Sequence, residues 1–251
     1  MKPMETVINI ENLFAGYGQI PILENISFDV FKGEVFVIIG GSGCGKSTLF
    51  KHMIGLLPPI SGNILIQGEN LSLATGNDRN RMLQKIGVAF QSGALFGSMT
   101  VLENILLPLK EFTQLPNAVM ENIAWLKLKL VGLEKSGFLM PAELSGGMKK
   151  RAALARAMAL DPAIIFLDEP SAGLDPVTSA GLDLLVKDLS SSLGITFIIV
   201  THELASIDAI AHRIIMLEKS AKGIIATGTP EQMKTNTDNP LVYNFFNRKL
   251  F

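Results

Sequence analysis

Residues 40–48 read Gly40-Gly41-Ser42-Gly43-Cys44-Gly45-Lys46-Ser47-Thr48. The apolar run Val35-Phe36-Val37-Ile38-Ile39 precedes them, and a helical pattern, Thr48 to Ile54, follows. Strand, glycine loop and helix in that order, with the spacing G-x-x-x-x-G-K-S, describe a phosphate-binding loop. Glycines allow backbone N–H groups to turn inward around an anion, and the helix N-terminus adds the positive end of its dipole. Lys46 is expected to reach the β- and γ-phosphates, and the Ser47 hydroxyl to ligate Mg²⁺. A nucleoside triphosphate is the ligand this loop implies.

Upstream of the loop, residues 6–13 and 22–31 alternate apolar and polar side chains, as half-buried antiparallel strands do. Phe14 to Gly18 reads as the turn between them. Downstream, Pro58-Pro59-Ile60-Ser61-Gly62 stops the first helix, and residues 63–68 form a short strand. Residues 86–90 are an apolar strand that runs into Gln91 and the stretch Ser92 to Met99. Thr100 and Glu103 make a capping box for a helix from Val101, which Pro108 is expected to shorten or kink. A second helix covers about 118–131. Ser145 is placed to cap a third, 149–160, rich in Ala, Leu, Arg and Met. Residues 163–168 are a buried strand that ends in Asp168-Glu169. Asp175-Pro176 opens a helix, with Asp as cap and Pro at its first position. Strand 195–200 ends at Thr201-His202, short strands follow at 213–218 and 223–227, and Thr229-Pro230-Glu231-Gln232 caps a small helix. Strands alternating with helices after the loop imply an α/β fold with a parallel sheet and right-handed crossovers.

Composition narrows the class. A chain of 251 residues is long enough for one large α/β domain or two small ones and can bury a sizeable core. A net charge of −1 leaves no cationic field for a nucleic-acid backbone. The hydrophobic share is 48%, yet no uninterrupted apolar run reaches the ~18 residues that span a bilayer. Met1-Lys2-Pro3-Met4-Glu5 has no signal-peptide core behind it, so a cytosolic chain with large apolar contact surfaces is expected. Cys44 is the single cysteine, which excludes a disulfide framework and a paired-cysteine zinc site. Its place at a helix N-terminus would lower its thiol pKa, but a small residue that fits a crowded loop is the plainer reading.

Phosphoryl transfer needs an anion cradle, a metal, a positioned water and a donor on the γ-phosphate. Asp168, at the end of a buried strand, is the candidate for the metal or its waters. Glu169, aimed to the other side, is the candidate to polarise the attacking water. His202, at the end of another central strand, is placed to hydrogen-bond the γ-phosphate. All three sit at carboxyl ends of strands, where open α/β sheets bind ligands. His52, His212 and Trp125 read as structural.

GGSGCGKST, Gln91, ELSGGMKKR, IIFLDEP, SAGLDP and Thr201-His202, in this order over about 200 residues, resemble an ABC-transporter nucleotide-binding subunit. The resemblance implies a P-loop ATPase core (1–91 and 151–238), an N-terminal antiparallel β subdomain and an inserted helical subdomain (about 92–150) carrying the signature motif. Residues 239–251 are left as a tail. It implies that Tyr17 stacks on the adenine of ATP, that Gln91 links the γ-phosphate and Mg²⁺ to a membrane partner, and that Glu169 is the catalytic base. It also implies that His202 senses the γ-phosphate and that Asp175 communicates across a homodimer. Two copies would pack head to tail, so that Ser145, Gly146 and Gly147 of one meet the ATP bound by the other. A Ser-capped helix N-terminus after glycines is itself an anion site, which agrees.

Met148 stands where Gln is usual, and a methionine side chain cannot donate a hydrogen bond there. With KKRAALARA, FQSGALF and PLKEFTQLP, the departure resembles the ATPase of the Mla/MCE phospholipid-transport systems of Gram-negative bacteria. That resemblance implies a multi-pass permease, a periplasmic MCE-domain lipid-binding protein, a small STAS-domain regulator and a peripheral place on the cytoplasmic face of the inner membrane. Apolar residues of Ala94 to Met99 are read as lining a groove for a permease helix. The tail, with Val242, Tyr243, Phe245, Phe246, Leu250 and Phe251, is too apolar for a free terminus and either packs on its own domain or, the reading preferred here, reaches a partner subunit. The alternatives are an ABC ATPase of an amino-acid or lipoprotein permease, a soluble ABC protein of translation or DNA repair, and a regulatory nucleotide-binding module without turnover. One phosphate loop without a sustained heptad run disfavours the soluble class. Glu169 and His202 together disfavour the last.

Overall fold

Strands β1 (Thr6–Tyr17) and β2 (Ile20–Phe31) open the computed structural model, which describes residues 5–249. Next come β3 (Val35–Gly40), α1 (Lys46–Met53), β4 (Ser61–Ile66), β5 (Glu69–Asn70), α2 (Gly76–Leu83) and β6 (Ile86–Ala89). Three helices follow, α3 (Val101–Phe112), α4 (Asn117–Leu130) and α5 (Gly146–Ala157). The chain then alternates through β7 (Ile164–Asp168), α6 (Pro176–Leu193), β8 (Thr196–Val200) and α7 (Leu204–Ile210). It closes with β9 (Arg213–Glu218), β10 (Gly223–Gly228), α8 (Pro230–Lys234) and α9 (Pro240–Asn247).

Two sheets result. One is antiparallel in the order β2-β1-β4-β5, and the other has the order β10-β9-β3-β8-β7-β6. The second is parallel except for β10, which returns antiparallel on β9. Its central strands are buried on both faces, hence their unbroken apolar runs. Val35, Val37 and Ile39 of β3 pack with α3 to α7 and α9 on one side. Phe36 and Ile38 face the antiparallel sheet and α1 on the other.

The first hairpin turn is tighter than the sequence suggests. Phe14 to Tyr17 belong to β1, with Ala15 opposite Leu23, Gly16 opposite Pro21 and Tyr17 opposite Ile20, so only Gly18-Gln19 turn. Gly16 permits this, because a Cβ there would lie 2.0 Å from the Ile20 carbonyl oxygen. Pro108 does not end α3, which runs on to Phe112. Five apolar side chains of α3 are buried, each contributing ~1.5–3 kcal/mol, and together they outweigh the ~3 kcal/mol cost of an internal proline. The polar helix α2 has no counterpart in the sequence reading, since only Met82 of it is buried and no apolar period marks it.

The helical insertion has no core of its own. Val101, Ile105, Leu109, Met120 and Leu128 join the cluster that contains Val37 and Ile199. A boundary at residue 150 falls within α5, which packs on β6 as well as on α3 and α4. The tail also differs from expectation. Asn239 caps α9, which turns Val242 and Phe246 into the chain's own core rather than outward to a partner. Leu250 and Phe251 lie outside the described residues.

Candidate active site

Strand β3 delivers Gly40 at its end, and the loop turns through left-handed backbone at Gly43 (φ 75°) and Gly45 (φ 104°) before α1 begins at Lys46. Side chains are sterically unwelcome here. A Cβ on Gly40 would meet the Leu217 carbonyl oxygen at 2.4 Å and the Cys44 sulfur at 2.5 Å. Gly41, Ser42, Gly43 and Ser47 are exposed, whereas Cys44 and Thr48 are buried. Lys46 Nζ donates to the carbonyls of Gly40 (2.8 Å) and Gly41 (3.0 Å), so its charge is held over the loop. Burial pushes the Cys44 thiol above its ordinary pKa, with Lys46 partly offsetting it. The helix-terminus effect expected from sequence therefore loses to desolvation.

Tyr17 ends β1 beside this loop, half exposed, with Lys51 Nζ 5.9 Å from its ring centroid. His52 fixes the spacing. Its Nε2 accepts from the Gly16 N–H (3.1 Å), so its Nδ1 donates to the Leu57 carbonyl (3.0 Å). Burial lowers its pKa, in keeping with a neutral ring. His212 Nδ1 likewise accepts from Val35 N–H (2.8 Å), and Trp125 packs edge-on against Phe138. All three are structural, as read from sequence.

Asp168 lies opposite Val200, and Val200 opposite Ile38, so the glycine loop, the acidic pair and His202 share one edge of three adjacent strands. Glu169 adopts φ 46°, left-handed backbone that costs a non-glycine residue about 1 kcal/mol or more. Its N–H donates to the Val200 carbonyl (2.8 Å), which holds the turn. Glu169 Oε1 is 2.9 Å from His202 Nδ1, and Oε2 is buried without a partner among the described residues. An ionised carboxylate only accepts, so His202 carries a proton on Nδ1, and its Nε2 lies 4.0 Å from Glu203 Oε1. Burial and the charge of Glu169 raise the Asp168 pKa, opposed by Lys150, Lys51 and Lys46.

Gln91 begins a largely exposed loop that two half-buried cations restrain. Lys150 Nζ donates to the Gln91 carbonyl (2.5 Å) and to the Glu169 carbonyl (3.1 Å). Arg156 donates to the carbonyls of Gly93 (3.0 Å) and Ala94 (2.8 Å). Asn104, fully buried on α3, accepts from Phe96 N–H and donates to the carbonyls of Phe96, Met99 and Thr100. Sequence reasoning missed Lys150, Arg156 and Asn104. Their partners are main-chain carbonyls, which leave no trace in a sequence.

The signature segment packs on the start of α6. Ser145 Oγ accepts from Met148 N–H (3.3 Å) and caps α5 as expected. A Cβ on Gly147 would lie 2.4 Å from Cγ2 of Thr178, and one on Gly146 would touch Leu174. Asp175 accepts from the N–H groups of Val177 (3.1 Å) and Thr178 (3.0 Å), the cap read from sequence. Met148 is half-buried and packs against the main core, so its side chain serves packing where a glutamine would be polar.

A family model described as "ABC transporter" matches residues 23–172, from β2 through the glycine loop to just past Glu169. The chain belongs to the ABC transporter family. It is an ATP-binding, ATP-hydrolysing cassette of that family. Among curated relatives, the Escherichia coli (strain K12) "Intermembrane phospholipid transport system ATP-binding protein MlaF" is 41% identical over 225 residues, 89% of this chain and 82% of that protein. The Mycobacterium leprae "Probable ribonucleotide transport ATP-binding protein mkl" is 40% identical over 245 residues, 98% of this chain and 70% of that protein. A solved dimeric structure of the ATP-binding cassette MJ0796, in a post-hydrolysis state bound to ADP and Pi, superposes with a TM-score of 0.78. That match is 28% identical and covers 89% of this chain and 98% of the other.

Proposed function

We propose that this ATPase powers a phospholipid transporter, as a homodimer seated on a multi-pass permease at the cytoplasmic face of the inner membrane. The extended similarity to the E. coli phospholipid-transport ATPase supports the cargo. The hydrolytic chemistry rests on one observation above all, the Glu169–His202 pair level with the glycine loop. In this reading Gly40 to Thr48 wrap the phosphates, and Lys46 leaves its loop carbonyls for the β- and γ-oxygens. Tyr17 offers its ring to the adenine. Glu169 polarises the attacking water, and His202 donates to the γ-phosphate from its second ring nitrogen when that nitrogen also carries a proton.

Mg²⁺ fits the residues at hand. Ser47 offers a hydroxyl, Asp168 a carboxylate and Gln91 an amide oxygen, and the described residues contain no cluster of three or more His, Cys, Asp or Glu. Mg²⁺ commonly takes one or two protein oxygens alongside phosphates and water. Bound there, it would neutralise the β- and γ-phosphate oxygens. Ser145, Gly146 and Gly147 would meet the nucleotide of the second copy, with Asp175 at the joint between copies.

No helix among the described residues is long and apolar enough to cross a membrane. A groove of about 250 Å³ between α2, β6, α3 and α5, lined by Leu83, Val88, Pro108, Phe112 and Arg156 among others, suits an apolar helix of the permease. Exposed Phe96 stands on the restrained loop, with Arg156 6.0 Å from its ring centroid. A periplasmic MCE-domain lipid-binding protein and a STAS-domain regulator complete the assembly. The test is to tag the chain, extract native membranes in mild detergent and identify retained proteins and lipids by mass spectrometry. A permease with an MCE-domain protein and phospholipid is the expected result. A different permease, or nucleotide cargo as the name of the M. leprae relative suggests, would keep the ATPase and discard the lipid.

A further inference from the structure

Behind the Glu169–His202 pair lies a second polar cluster. Asp183 on α6, Ser206 on α7 and Ser171 in the turn after Glu169 are all buried, at 6%, 4% and 4% exposure. They line one small enclosed space with Val37, Ile199 and Ile207, which leaves no room for a water molecule. The two serine oxygens stand 3.4 Å apart. Burial raises the Asp183 pKa, the Ser206 hydroxyl across this space lowers it, and the charge of Glu203 raises it.

Polar groups in a dry place have only each other, and the one further hydroxyl that lines this space, that of Thr201, already accepts from the Glu203 N–H (3.1 Å). An unpaired buried hydroxyl or carboxyl costs ~1–3 kcal/mol or more, so the three side chains orient together. The carboxyl end of the chain is an acceptor. The Ser206 hydroxyl thus stands between the Ser171 hydroxyl and the Asp183 carboxyl in one shared space. Packing alone does not call for this arrangement, because neighbouring inward positions of α6 carry Leu182, Val186 and Leu189. A buried charge is weak evidence for stability.

The location is telling. Ser171 follows Glu169 by two residues, and Ser206 follows His202 by four. The two segments that supply the site pair thus meet again one layer below it, over a single carboxyl group. Glu169 has strained backbone that its surroundings must hold, and His202 sits on a loop joining β8 to the short helix α7. We propose that Asp183, acting through Ser206 and Ser171, is a positioning residue that holds Glu169 and His202 at hydrogen-bonding distance. This rests on the reading of Glu169 and His202 as the hydrolytic pair.

The chain's three histidines make the link measurable. In protein labelled with ¹⁵N-histidine, His52 and His212 report on the fold, since each is tied to a backbone group outside the cluster, Gly16 and Val35 respectively. Ser206→Ala removes one hydroxyl and leaves a good helix former. The Nδ1 resonance of His202 should then lose its hydrogen-bonded position while those of His52 and His212 stay. In steady-state assays the same variant should lose about five-fold or more in kcat with KM for ATP within about two-fold. Asp183→Leu should match it, and Asp183→Asn, which keeps an acceptor oxygen, should recover at least about half of the lost turnover. Combining Ser206→Ala with Asp183→Leu should cost no more than either alone, as for members of one chain.

An unmoved His202 resonance in Ser206→Ala would overturn the proposal. So would equal losses in Asp183→Asn and Asp183→Leu, or losses that simply multiply in the double variant. Failure of the hydrolytic reading looks different. It would appear as turnover surviving Glu169→Gln, and the His202 resonance would still decide whether the link exists.

Discussion

His202 Nδ1 stands 2.9 Å from Glu169 Oε1, and the other oxygen of that carboxylate is buried with no partner among the described residues. One oxygen is thus spent on holding the histidine, and the second has no hydrogen bond to lose, as the proposed role of Glu169 as base requires. Glu169→Gln keeps the shape and removes the base. It should retain ATP binding and lower turnover by about 10²- to 10⁴-fold, with the ATP-bound dimer accumulating in size-exclusion chromatography. Turnover within a few-fold of the parent would show that another group does this work.

Lys46 already makes two charge-assisted hydrogen bonds, to Gly40 and Gly41. Donors of this kind contribute about 1.5–3 kcal/mol each, which is one to two decades of affinity. Lys46→Ala should therefore bind ATP at least about ten-fold more weakly, measured by titration with a fluorescent ATP analogue. An unaltered affinity would remove the lysine from the phosphate site.

Cys44 is buried and its thiol pKa is raised by that burial. Less thiolate is present at neutral pH than for a free cysteine, so maleimide labelling should be slow and should speed up as the pH rises. Bound ATP should slow it further, and stoichiometric modification should abolish nucleotide binding. Full binding after complete labelling, read by intact mass and nucleotide titration, would refute the placement of this sulfur against the phosphate loop.

Asp183 has a folded-state pKa above its ordinary value, with desolvation first among the causes, Ser206 opposing it and Glu203 the charged group that acts on it. The folded chain thus binds this proton more tightly than the unfolded chain does. Ionising Asp183 costs stability, and the cost grows as pH rises through the interval from about 3.9 to the raised value. Asp183→Asn should melt higher than the parent at pH 8, and the gap should close as pH falls toward about 4. A gap that does not vary with pH would mean that the carboxyl group titrates normally.

The parts of the molecule that follow local rules were legible from sequence. Gly40 to Thr48 declared the phosphate loop because only glycine-rich backbone can wrap an anion, and Asp175-Pro176 and Thr229-Pro230 declared their helices by their caps. Asp168, Glu169 and His202 were found because they sit at strand ends. Whether those ends met depended on the order β3-β8-β7, which the parallel topology supplied. Tertiary packing decided the misses. Gly16 let the hairpin close more tightly than a Phe14 to Gly18 turn, buried leucines carried α3 past Pro108, and the core drew in Val242 and Phe246. Lys150 read as one more cation in the run Lys149-Lys150-Arg151, since its two acceptors lie 59 and 19 residues away.

That lysine has a mechanical meaning. Its ammonium group grips the main chain at Gln91 and, with another proton, the main chain at Glu169. The loop that begins at Gln91 and the residue that bonds His202 are therefore hinged on the same pin. A shift of the main chain at Gln91 would load the bond that holds the main chain at Glu169, through this chain's own atoms.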